Sequence, residues 1–232
     1  MQNHLPLDIF QKEIKGFQGQ IKLWQQEYPA WAERIIFNED LLNLKAEAVR
    51  YILVGDNPGK EEQKAHRYLI GTAGQGARRF FEETAQLVNS FDREVMVLNK
   101  TPVFTPSTMD LAELGEIAKL LEESQIYMAG LICRLQKICY CPVWVTGFGG
   151  CRNAQGEWKL TDAKTRPLAS FFRALKAEGA PEIGEKSDIY FFKHFSYSHF
   201  QKDAHFDGRP DTPEEYREKL LKIGAFYRQN FW

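Results

Sequence analysis

A chain of 232 residues can bury a sizeable core as one large or two small domains. With 44% hydrophobic and 26% charged residues and a net charge of −1, it has the make-up of a soluble globular protein without a field that would advertise a nucleic-acid partner, so any DNA-binding face must be a local patch. No basic segment followed by an apolar one opens the chain, and no apolar run reaches spanning length, which leads us to expect a cytoplasmic protein with no membrane partner.

Residues 1–49 are helical in pattern. Ile14, Phe17, Ile21 and Trp24 recur three or four apart, Pro29 interrupts, and a second helical stretch from Trp31 carries Ile35 and Ile36 toward the first strand. That strand is Tyr51–Val54, a short apolar run of the kind buried on both faces of a sheet. It stops at Gly55-Asp56-Asn57-Pro58-Gly59, where two glycines and a proline force a turn. Gly59-Lys60 is followed by Glu61 rather than Ser or Thr, which excludes a phosphate-binding P-loop. Gly71, Gly74 and Gly76 let a backbone approach something closely; a phosphate at the N-terminus of the next helix is one reading and a plain loop the other. The helix itself is expected from about Ala77 to Phe91, with Phe80, Phe81, Thr84, Leu87 and Val88 inward.

Glu94–Asn99 is the second strand. Pro102 and Pro106 keep the following loop extended, and Ser107 or Thr108 caps a helical region reaching to about Ile138. Pro142–Gly147 is the third strand, and a helix from Leu168 to Glu178 precedes the fourth, Asp188–His194. Thr212-Pro-Glu-Glu215 is a capping box that opens a C-terminal helix to about Gln229. Strands alternating with helices give a single α/β domain over residues 1–232: a three-layer α/β/α with a four-stranded parallel sheet. Residues 1–49 form a helical N-terminal layer, 50–200 the motif-bearing core and 201–232 the C-terminal helix. The cysteines (Cys133, Cys139, Cys141 and Cys151) have neither zinc-finger spacing nor a histidine partner, so they read as free thiols of the core and loops, and no metal is expected.

In an open parallel sheet, ligands bind outside the carboxyl ends of the strands. Asp56, Asn57, Asn99 and His194 all follow strand ends and therefore share that edge. In this order the motifs resemble those of the uracil-DNA glycosylase superfamily. Gly55-Asp-Asn-Pro-Gly59 is similar to the Gly-x-Asn-Pro-Gly motif of its mismatch-specific and single-strand-selective branches. Arg67-Tyr-Leu-Ile-Gly-Thr-Ala-Gly-Gln75 is similar to the Arg-Pro-Phe-Val-Gly-x-Ala-Gly-Gln stretch of the iron–sulfur branch. Val97-Leu-Asn99 resembles the strand that ends on the base-reading Asn, and His194-Phe-Ser196 resembles the family's His-Pro-Ser.

The resemblance implies hydrolysis of the N-glycosidic bond of uracil, or a related deaminated base, in single- or double-stranded DNA. It assigns anion stabilisation to His194, water orientation to Asn57 with Asp56 beside it, and base reading to Asn99. Gly55, Pro58, Tyr68, Leu69 and Ser196 would line the substrate site, while Gly74, Gln75, Tyr197, His199 and Lys202 would meet DNA. Lys159, Lys164, Arg166 and Arg209 could add phosphate contacts from the same edge. With no lysine in the matched motifs, simple hydrolysis is expected rather than a Schiff-base lyase. Leu69 replaces the family's stacking Phe, so stacking is lost or passes to Tyr68; Phe195 replaces the Pro of His-Pro-Ser, and the wedge falls to Tyr197, His199 or Phe200. The N-terminal cysteine pair of the iron–sulfur branch is absent, so no cluster or other cofactor is expected, and the protein should act as a monomer. The competing reading is a non-catalytic nucleic-acid- or nucleotide-binding protein on the same fold; a small-molecule enzyme rests on fold analogy alone.

Overall fold

Alternation along the strands decides the layers. The computed structural model describes residues 5–147, 166–179, 188–195, 199–205 and 208–231. Strands β1 (Tyr51–Gly55), β2 (Val95–Asn99), β3 (Val143–Thr146) and β4 (Ile189–Phe192) form one parallel sheet in the order β2-β1-β3-β4. Ile52, Val54, Met96, Leu98, Val143, Val145, Ile189 and Phe191 point to one side, whereas Leu53, Val95, Val97, Trp144 and Phe192 point to the other. This two-residue period with both faces apolar is what a sheet covered on both sides requires.

The helices are α1 (Leu5–Glu27), α2 (Lys60–Ala65), α3 (Thr72–Arg79), α4 (Phe91–Glu94), α5 (Ala118–Cys139), α6 (Ala169–Gly179), α7 (His199–Ala204) and α8 (Pro213–Phe231). Apolar residues of α1, α5 and α6 cover the first face; those of α3, α7 and α8 cover the second. The step from β1 to β2 runs one way along the sheet with α3 on one face. The steps through α5 and α6 run the other way with their helices on the opposite face, as crossovers of a single hand demand. The strand order therefore reverses between β1 and β3, which makes the edge outside those two strands the switch point where such folds bind ligands.

Two local expectations change. Beyond the short α2, the helix expected from about Ala77 begins at Thr72, runs through one π turn at Phe80–Thr84 and ends there, so Gly71 caps α3 and Gly74 and Gly76 lie within it rather than in a loop. The stretch from Trp31 is a 3₁₀ segment (Pro29–Arg34), after which Ile35 makes an antiparallel bridge to Val103. The tertiary pairing with the loop after β2 overrides a helical apolar spacing only a few residues long.

Candidate functional site at the carboxyl edge of the sheet

Gly55 and Asn99 face each other at the last register of β1 and β2. A Cβ on Gly55 would overlap the Asn99 Oδ1 atom, so glycine is what lets the Asn99 amide lie across the end of β1. Asn99 is only 4% exposed, and its Nδ2 has no hydrogen-bond partner among the described residues. An unused buried donor costs free energy in the ligand-free protein, and a ligand carbonyl would recover it.

Beside it lies a buried ion pair. Lys100, the residue after Asn99, is 0% exposed; its Nζ pairs with the Asp56 carboxylate and donates to the Thr146 carbonyl. Its backbone N–H donates to the carbonyls of Gly55 and Asp56 at 3.0 and 3.1 Å. Burial pushes the Lys100 ammonium below the usual lysine range, against the pull of Asp56, which raises it. Gly147, with φ of +78°, lies directly against the Asp56 carboxylate, where any side chain would collide with both oxygens. Asp56 keeps 12% of its side chain exposed, at the switch point between β1 and β3. Lys100 was not among the expected site residues. A lysine between a strand and a Thr-Pro pair looks in sequence like any loop lysine, and only the neighbouring strands bury it.

Asn57 is occupied by its own surroundings. Its Nδ2 donates to Thr105 Oγ1 at 2.9 Å, and its Oδ1 accepts from Thr108 Oγ1 at 2.9 Å. Both ends of the amide are engaged, which makes Asn57 a clamp between the loops after β1 and β2, in contrast with the water-orienting role implied by the resemblance. Pro58 is buried, and the Gly59 N–H donates to Glu62 Oε2 at 2.8 Å.

The Arg67–Gln75 stretch is built for packing. Tyr68 is 1% exposed and donates its hydroxyl to the Ile36 carbonyl at 2.5 Å, so its ring belongs to the core and offers no stacking surface. Leu69 has φ of +54°, a conformation costly for a branched residue; its carbonyl accepts from Arg78 Nη1 at 2.6 Å. A Cβ on Gly74 would run into that same carbonyl, which explains the glycine without a phosphate. Gln75 is exposed on the first turn of α3.

His194 is half-buried just past β4, and its carbonyl accepts from the Phe200 N–H at 3.3 Å. Phe195 and Phe200 are both buried and stack on each other at 4.2 Å, in a cluster with Phe80, Trp144 and Phe192. The Phe195 ring thus completes this core, and Phe200 is a core residue, not an exposed wedge. Lys202 is exposed on α7. Ser196, Tyr197 and the side chain of His199 lie outside the described residues, as do Lys159, Lys164 and the side chain of Arg166.

The sheet order brings Asp56, Asn99 and Lys100 into one cluster and sets His194 across from it, with β1 and β3 between the outer strands. At about 4.8 Å per strand, β2, which ends on Asn99, and β4, which ends two residues before His194, run about 14 Å apart. No protein-family model and no curated protein matches the sequence.

Proposed function

We propose that this protein is a monofunctional DNA glycosylase that hydrolyses the N-glycosidic bond of uracil, or of a related deaminated base, in base-excision repair. The observation that carries the reading is Asn99, buried at the end of β2 with its Oδ1 against Gly55 and its Nδ2 unpartnered among the described residues. An amide in that position can donate to uracil O4 and accept from N3–H. Cytosine presents the reverse pattern and would leave buried groups unpaired, which a polar site rejects strongly.

The base must leave the stack to reach this edge. As the bond breaks, negative charge develops on the base, and a His194 N–H donated to a base oxygen stabilises it. Positive charge develops on the sugar, and the Asp56 carboxylate is the anion that can face it and align the attacking water. The two loop hydrogen bonds of Asn57 favour Asp56 for this task. Lys100 is fully buried and paired, which supports hydrolysis over amine attack. The partner is DNA, met by a cytoplasmic monomer without cofactor.

The test is alkali-dependent cleavage of a uracil-containing oligonucleotide. Strand breakage at the uracil is expected, and His194→Ala should slow it by about two to three orders of magnitude with little change in binding. An intact oligonucleotide after prolonged incubation with wild-type protein would refute glycosylase action. One observation favours the second reading, a non-catalytic binder: Asp56 and Asn57 are both already engaged by protein groups. That reading predicts binding to the oligonucleotide with no base release.

A further inference from the structure

We infer that Lys100 is a positioning residue that holds the Asp56 carboxylate aimed at the reacting sugar; the inference rests on the glycosylase reading above. Lysine is almost never fully buried without a partner, and here a single residue joins the ends of three strands. The backbone of Lys100 binds the end of β1, its ammonium binds Asp56, and the same ammonium takes the Thr146 carbonyl at the end of β3. The Phe172 ring of α6 lies 5.5 Å from Nζ on the side toward that helix. The groups facing Asp56 among the described residues are this ammonium and the backbone at Gly147.

A merely structural staple does not need this arrangement. A buried ion pair is a weak source of stability, since an apolar pair of similar volume usually serves as well. A carboxylate that must be aimed from a largely buried edge does need a fixed partner beside it. Lys100 meets that need without competing for substrate, because it has no exposed surface of its own. The missing side chain of Gly147 leaves the space the carboxylate occupies, so the backbone after β3 also fixes the placement of Asp56.

Single-turnover uracil release and oligonucleotide affinity should be measured for wild type, Lys100→Met, Lys100→Gln, Asp56→Asn and the Asp56→Asn/Lys100→Met double variant. Lys100→Gln removes the charge but keeps an amide donor, one bond shorter, toward the Thr146 carbonyl, so it is the second probe where Lys100→Met fails to fold. We expect both Lys100 variants to lose about 10²-fold in rate while binding within about threefold of wild type, and the double variant to be no slower than Asp56→Asn, as residues acting as one unit behave. Wild-type rates in Lys100→Gln, or losses that multiply in the double variant, would overturn the inference and leave the glycosylase reading standing. A wild-type protein that releases no uracil would remove both.

Discussion

Asn99 closes β2 and Asn57 stands two residues past the end of β1, and their surroundings give the same residue type opposite tasks. Asn57 has spent both ends of its amide on Thr105 and Thr108, while Asn99 keeps Nδ2 unpartnered. Asn99→Asp is the sharper probe of base reading, because it keeps the shape and replaces the donor with an acceptor. Uracil O4 would then meet an oxygen, at a cost of about 1–3 kcal/mol or more, and cytosine, with its N4 amino donor, should lose less. Matched uracil and cytosine oligonucleotides measure this directly; an unchanged uracil-over-cytosine ratio would mean that Asn99 does not read the base. Asn57→Ala should act mainly on stability: losing its two short hydrogen bonds at about 1 kcal/mol each lowers the melting temperature by several degrees. Strand ends made Asp56 and Asn99 visible in the sequence. Burial of Tyr68 and Lys100 was not visible there, because each depends on a segment distant in the chain: Ile36 for the tyrosine, Asp56 and Thr146 for the lysine.

Elements were legible where their signals were local. Strands appear at the four apolar runs within a residue or two of the expected limits, and Thr212 caps α8, its Oγ1 accepting from the Glu215 N–H at 3.2 Å, while Glu215 reaches one residue beyond the cap of an ideal capping box, to the Asp211 N–H at 2.8 Å. The glycine run misled because glycine density usually marks a loop, whereas here Gly74 serves the close approach of α3 to the Leu69 carbonyl. The short helix α2 carries a further consequence. Glu62 reaches back from its first turn to the Gly59 N–H and also accepts from the backbone of Leu69 and Ile70, so it ties the β1 loop to the start of α3. Burial pushes its carboxyl above the ordinary range, and the backbone donors pull it only part of the way back. Between the ordinary value and the raised one, the unfolded chain has already released this proton while the folded protein still holds it. Rising pH through that window therefore costs stability, the reverse of a carboxylate in an ion pair. Thermal melts of wild type and Glu62→Gln from about pH 4 to 7 should show wild type losing ground to the variant as pH rises. A difference independent of pH would mean that Glu62 titrates alike in both states.

At the scale of the whole molecule, the parallel sheet follows from the alternation of strands and helices, and the strand order β2-β1-β3-β4 explains why residues far apart in sequence share one edge. What remains is how a protein of net charge −1 would hold a polyanion. Lys202 on α7 and Arg209 beyond it are exposed and follow β4, the strand that leads to His194. A local patch of this kind neutralises few phosphates, so affinity for a uracil-containing duplex should fall with salt along a shallow line. With two to four contacts, the slope of log K against log salt would be about −2 to −4, at about −0.9 per phosphate. Lys202→Gln and Arg209→Gln should each make that slope less negative by about one and weaken binding similarly for every sequence, leaving the uracil preference where it was. Fluorescence anisotropy across a salt series resolves slopes of this size. Affinity indifferent to salt would mean that the edge takes a nucleotide-sized ligand rather than a strand, and the excision assay would then have the wrong substrate in it.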